Sequence, residues 1–208
     1  KIQGRDRYPL VLMLEPLFRC NLECIGCGKI QKPNEILNKN LTPDQCFEAA
    51  NECGAPVVSI AGGEPLMHPQ IVEIIEGLIK QKRYIYLCTN AILLKNYLGK
   101  LPVSPFLTLS IHLDGLEKDH DRIVDKKGIF QIAVEAVREA KAMGYRVTSA
   151  TTFFEGTSVE QAEKFLDFLN PLGIDGVTLS SAFRYPDAPD QEHFFGRKRT
   201  QEFFKELL

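Results

Sequence analysis

Apolar and polar positions along this chain alternate between two periods. Short apolar runs read as buried strands at Leu10 to Leu14, Val57 to Ala61, Tyr84 to Thr89, Leu107 to His112, Arg146 to Thr152 and Gly176 to Ser180. Between them the spacing lengthens to that of helices. Thr42 caps a helix with Pro43 at its first position, which runs to Cys53 and stops at Gly54. Pro69 to Gln81 sets Ile71, Ile74, Ile75 and Leu78 on one face. A short helix is expected around Leu93 to Leu98, and a strongly amphipathic one from Phe130 to Met143, ended by Gly144. Ser158 caps a helix to Leu169, and a last helical pattern starts near Arg197.

Six β-α units in series predict an α/β fold of parallel strands joined by crossover helices. The pattern leaves open a doubly wound sheet or a barrel or partial barrel. In either, the loops after the strand C-termini form the active face, and the chemically suggestive residues do follow strands. Cys20, Cys24 and Cys27 follow the first, Gly62-Gly63-Glu64-Pro65 the second, and Cys88-Thr89-Asn90 end the third. Ser110 to Gly115 end the fourth, Thr151 and Thr152 the fifth, and Ser180 and Ser181 the sixth.

The cysteines form a C-x3-C-x2-C run. Three thiolates so spaced can wrap one corner of an iron–sulfur cubane, which usually takes four, leaving one iron open. Zinc with a fourth ligand from elsewhere, or plain core thiols, are the competing readings; the absence of a second C-x2-C knuckle argues against zinc. The glycine pair of Gly62 and Gly63 suits close backbone approach to a ligand, with Glu64 placed to hold an ammonium group; the alternative is a tight turn with a solvent-facing glutamate. On the fourth strand Leu107, Leu109, Ile111 and Leu113 share one face, and Thr108, Ser110, His112 and Asp114 the other. A polar row on a buried strand needs partners, which a ribose would supply. For His112 ligand contact and an ordinary core histidine are equally placed, and Asp114 with Gly115 reads as a turn. Cys88 shares an inward face with Tyr84, Tyr86 and Asn90; its S–H bond can surrender a hydrogen atom to a carbon radical, or the residue is simply small and buried. Glu15 and Lys29 flank the cysteine loop and either position it or decorate the surface.

Composition narrows the setting. The 208 residues suit one domain with a full core, and a net charge of −2 gives no nucleic-acid stripe. No apolar run is long enough to span a bilayer, and the N-terminus is unlike a signal peptide. Three of the six cysteines lie in one loop, which fits a reducing cytoplasm rather than a disulfide framework; Cys46 and Cys53 read as core or surface thiols. Residues 1–208 are expected to form one domain, and the chain starts and stops mid-pattern, as a fragment of a longer protein does.

The cysteine run, the glycine turn and the Ser110 to Gly115 stretch together resemble the radical S-adenosylmethionine (SAM) superfamily. The resemblance implies a partial (β/α)6 barrel, with Cys20, Cys24 and Cys27 holding a [4Fe-4S] cluster whose open iron chelates SAM. It implies that Gly62, Gly63 and Glu64 meet the methionine amino group, that Ser110 and His112 meet the ribose, and that Asn90 and Thr152 join the cofactor contacts. A one-electron reductant such as flavodoxin or ferredoxin is implied as a partner. The runs Tyr8 to Leu22, Cys27 to Ile30, Gly54 to Pro65, Tyr86 to Ala91, His112 to Gly115 and Ala188 to Gln191 further resemble the radical SAM enzymes of hopanoid biosynthesis, the adenosylhopene transferases. That closer resemblance implies addition of a 5′-deoxyadenosyl radical to a hopene (diploptene) to give adenosylhopane. The inward register and thiol chemistry of Cys88 make it the candidate hydrogen donor, and a hydrocarbon substrate would call for peripheral contact with the inner face of the membrane. Phe183, Phe194, Phe195, Phe203 and Phe204 would line a hydrocarbon groove or pack the last helix. Two departures stand out: Gly26 replaces the aromatic that often precedes the third cysteine, and the fifth strand lacks the usual asparagine, leaving Thr148, Thr151 and Thr152 as stand-ins. Hydrogen abstraction from a peptide or small metabolite, and a non-enzymatic metal-binding module, are the competing functions.

Overall fold

The computed structural model describes residues 8–184, 186–188 and 191–208. Six strands, β1 (Val11–Leu14), β2 (Val57–Ile60), β3 (Tyr84–Thr89), β4 (Leu107–His112), β5 (Arg146–Phe153) and β6 (Gly176–Ser181), form one all-parallel sheet in chain order. The helices are α1 (Asn34–Leu37), α2 (Pro43–Cys53), α3 (Ile71–Lys80), α4 (Glu117–Ile123), α5 (Ile129–Ala142), α6 (Val159–Leu169) and α7 (Arg197–Leu207). Parallel neighbours in strict sequence order, each joined through a crossover, make the partial (β/α)6 barrel that the β-α alternation predicts.

Local chemistry fixes most boundaries. Thr42 and Ser158 head α2 and α6 with full capping boxes, exchanging hydrogen bonds with Gln45 and Gln161. Gly54 ends α2 at φ 72°, where a side chain would be strained. Two elements escaped the sequence reading: the four-residue α1, and α4, where only His120 and Ile123 are buried. The expected start of the third helix at Pro69 gives way to a 3-10 turn over Pro65–Met67 and a later entry at Ile71.

The strand faces divide as alternation requires. Leu107, Leu109, Ile111 and Leu113 lie in the main core with Phe130, Ala133, Val134 and Val137 of α5. Ile74, Ile75 and Leu78 of α3 are fully buried there too, each worth about 1.5–3 kcal/mol relative to exposure. Of the late phenylalanines, Phe195 and Phe203 are buried against Phe153, with Phe204 partly buried beside them, whereas Phe194 and the 70% exposed Phe183 border a cavity at the strand ends. Among the described residues no helix is long and apolar enough to cross a membrane.

Helices α2 and α3 meet through a missing side chain. A Cβ on Gly77 would lie 2.2 Å from the ring of Phe47. In an exposed helix Gly→Ala is stabilising by about 1 kcal/mol. Here Gly77→Ala is expected to lower the urea midpoint, and the double variant Gly77→Ala/Phe47→Leu to recover most of the loss.

Candidate active site

The C-terminal strand ends surround an open cavity of about 500 Å³. Cys20, Cys24 and Cys27 line it, with Gly62, Gly63, Glu64, Cys88, Asn90, Ser110, His112 and Thr152. The candidate cluster, cofactor and hydrogen-donor residues therefore reach one pocket, whereas Thr148 and Thr151 do not line it.

The cysteine loop is seated on the turn after β2. Gly63 N–H donates to Leu17 O at 3.1 Å and Glu64 N–H to Arg19 O at 3.0 Å. A Cβ on Gly63 would stand 2.0 Å from Arg19 O, and one on Gly62 2.2 Å from Leu17 O. The glycine pair thus admits the chain's own loop, whose carbonyls take the N–H groups of Gly63 and Glu64, while Gly62 and Gly63 still line the cavity. Glu64 is neither solvent-facing nor free. It is 1% exposed; its Oε1 accepts from Leu66 N–H (3.0 Å) and Thr89 Oγ1 (2.7 Å), and its Oε2 from Asn90 N–H (2.9 Å). Burial raises its pKa against the pull of those donors. A carboxylate offers about four acceptor sites, so capacity remains on Oε2. Asn90 ties β3 to the loop, its Nδ2 donating to Asn21 Oδ1 at 2.7 Å.

Burial pushes the Cys20 thiol up, and burial with the neighbouring thiols lifts Cys24 to about 12. Metal binding therefore has to displace protons there. Among the described residues no three His, Cys, Asp or Glu side chains converge on one ion position. The three thiols share one wall of the pocket. Lys29 pairs with Glu15, a half-buried contact that braces the loop.

Asp114 was expected to be a turn; the structure corrects this. It is 4% exposed, its Oδ2 pairs with His112 Nε2, and its Oδ1 accepts from Thr152 N–H at 2.7 Å. Its own N–H donates to His120 Nδ1 at 3.1 Å. Burial opposes the charge on His112, but the Asp114 carboxylate outweighs it and the pKa rises. His120, missed in the sequence, is held down to about 4, chiefly by burial. The fourth-strand alternation already placed Asp114 with Ser110 and His112, and that was the available signal. On β5, Thr152 faces the pocket, whereas Thr151 turns outward to bond Leu113 O at 2.8 Å. Cys88 faces inward, 3.4 Å from Ser59 Oγ, and burial raises its pKa.

The Radical SAM superfamily model matches residues 14–169. The chain belongs to the radical SAM superfamily. Members bind a [4Fe-4S] cluster and SAM and need a reductant, and three thiols on one wall of a pocket that also offers carboxylate, amide and hydroxyl groups fit those two ligands. The chain is similar to a "Probable GTP 3′,8-cyclase" of Methanococcus maripaludis, at 24% identity over 99% of this chain and 72% of the relative. It is also similar to the GTP 3′,8-cyclase of Petrotoga mobilis, at 30% identity over 72% of this chain and 48% of the relative. The chain thus spans about half the length of the Petrotoga relative. Streptococcus suis SuiB bound to S-adenosylmethionine shares the fold, with a TM-score of 0.77 and 20% identity over 96% of this chain and 47% of that one.

These relatives overturn the expectation of adenosyl transfer to a hopene. The runs that carried that resemblance border the cofactor pocket, apart from Ala188 to Gln191, of which Pro189 and Asp190 lie outside the described residues. Residues around a shared cofactor do not specify the substrate. Three of the five phenylalanines expected to line a groove, Phe195, Phe203 and Phe204, pack together around α7 instead, and the relatives give neither hopene nor membrane contact support.

His120 gives a pH test of the Asp114 network. Its pKa falls from 6.5 to about 4 on folding, so its contribution is complete above the unfolded value and is lost as pH drops toward the folded one. Between pH 7 and 5 this amounts to about 2 kcal/mol. Urea unfolding of wild type should weaken over that interval by more than that of His120→Asn, whose side-chain oxygen still accepts from Asp114 N–H.

Proposed function

We propose that this chain is the core of a radical SAM enzyme that abstracts a hydrogen atom from a small polar metabolite. A purine nucleotide is the first candidate, because the relatives in sequence are named GTP 3′,8-cyclase. The observation that carries the reading is the convergence of the three thiols, Glu64, and the His112–Asp114 pair on one cavity.

With a [4Fe-4S] cluster on Cys20, Cys24 and Cys27 and SAM on its open iron, the cofactors supply a 5′-deoxyadenosyl radical by one-electron cleavage of the S–C5′ bond. The protein's own part is binding and exclusion of water. Glu64 would hold the methionine ammonium through its remaining acceptor capacity. Asn90 fixes the cysteine loop through Asn21. Ser110 and the Asp114-oriented His112 would hold the ribose, with Thr152 alongside. The hydroxyls of Ser110 and Thr152 give the cavity polar partners beside its aliphatic and aromatic wall. Burial raises the Cys88 pKa, so it keeps the S–H hydrogen needed to quench a product radical; the thiyl radical left behind would return to the thiol by taking one electron from the reductant and a proton from solvent.

The test is anaerobic reconstitution of the full protein, followed by SAM, reductant and GTP. Wild type should release 5′-deoxyadenosine carrying deuterium from labelled substrate, and each of Cys20→Ala, Cys24→Ala and Cys27→Ala should lose iron and that product together. An adenosyl group retained in the product would overturn abstraction, and failure to form 5′-deoxyadenosine with any substrate would overturn radical chemistry. In D2O, wild type should place solvent deuterium in the product, and Cys88→Ala should still cleave SAM while losing that label. An unchanged label in Cys88→Ala removes Cys88 as donor.

A further inference from the structure

The third thiol is preceded by Gly26, at φ 73°, and the space beside it is already filled. A Cβ there would lie 2.9 Å from Phe194 Cζ and 3.7 Å from Phe154 Cε1. Phe194 comes from the segment after β6, far along the chain. With Phe154, Ile123, Ala182 and Ala188 it forms a small apolar cluster separate from the main core. Phe194, Phe154, Ile123 and Ala182 all border the cavity.

Three backbone contacts hold this corner. Ile25 N–H donates to Ile123 O at 2.8 Å, Glu155 N–H to His193 O at 3.0 Å, and Ala182 N–H to Phe153 O at 2.8 Å. Lys32 and Asp187 add an ion pair between the cysteine-loop side and the later segment. The corner is therefore a built wall rather than a side chain resting on a surface.

SAM has three parts with different demands. The amino acid end needs charge and hydrogen bonds, the ribose needs hydroxyl partners, and the purine offers a flat face that gains from aromatic and aliphatic contact. Glu64, Asn90, Ser110, His112 and Thr152 supply the polar side of the cavity. The Phe194 corner is the part of the wall that matches a flat ring.

We propose that Phe194, backed by Phe154, is the specificity-determining residue for the purine ring of SAM, its ring standing where position 26 has no side chain. The proposal rests on the functional reading above. It makes the segment after β6 part of the cofactor site, so that the cofactor is enclosed by both ends of the barrel.

The experiment titrates SAM against the reduced, reconstituted full protein and follows the change in its EPR spectrum. Phe194→Ala should weaken apparent SAM affinity about tenfold, the scale of one base–aromatic stack. Iron per chain and the spectrum without SAM should stay as in wild type. Phe194→Tyr should retain affinity and Phe194→Leu should lose it, because the face of the ring matters rather than its bulk. Methionine alone, which has no ring, should bind wild type and Phe194→Ala equally. Equal SAM affinity in wild type and Phe194→Ala overturns the proposal, as does a matching loss of methionine affinity or of iron. A wild-type protein whose spectrum ignores SAM overturns the functional reading beneath it instead.

Discussion

The site depends on how closely the cysteine loop can approach the turn after β2. Two peptide N–H groups, of Gly63 and Glu64, hold the loop's carbonyls, and the two glycines keep that space empty. A single methyl group at Gly63 would meet Arg19 O at 2.0 Å, with backbone on both sides and nothing flexible to yield. The position of the thiols is therefore set by backbone fit, before any ligand is considered. Glu64 then locks the same seam from beneath, gathering donors from its own turn and from the end of β3. A buried carboxylate with three donors is costly to disturb, because removing one partner leaves the others unpaired.

A second junction closes the other side of the cavity. Asp114 receives β5 through Thr152 N–H, orients His112 toward the pocket, and meets α4 through His120. It adds a side-chain link between β4 and β5, already hydrogen-bonded neighbours in the sheet, and ties both to α4. His120 is kept neutral by burial, so charge in this corner stays on the His112–Asp114 pair. The two junctions divide the labour: the first places thiols, the second places polar side chains, and the strands between them carry Cys88 and Ser110 on the inner face.

Much of this was legible in the sequence. Capping boxes at Thr42 and Ser158, the stop at Gly54, and all six strands to within one residue followed from local chemistry, which acts over a few residues and needs no tertiary context. The strand-end placement of the cysteines, Glu64 and His112 followed from topology. What misled were residues whose partners are distant. Gly62 and Gly63 do border the cavity, but their second role, admitting a loop some 45 residues earlier, was out of view. Asp114 read as a turn because Thr152 and His120 were not in view. The hopene reading failed because the runs supporting it border a cofactor site shared by enzymes of many substrates, whereas the phenylalanines that seemed to favour it largely pack the core.

The sequence by itself determined the order of strands and helices, the inward and outward faces, and the trio of thiols at one strand end. These follow from periodicity and spacing along the chain. Only the tertiary structure decided which groups remain open to a ligand and which are spent within the protein. That outcome depends on contacts between residues far apart in sequence, such as Phe194 against Gly26 and Asp114 beneath Thr152, and no local pattern encodes them.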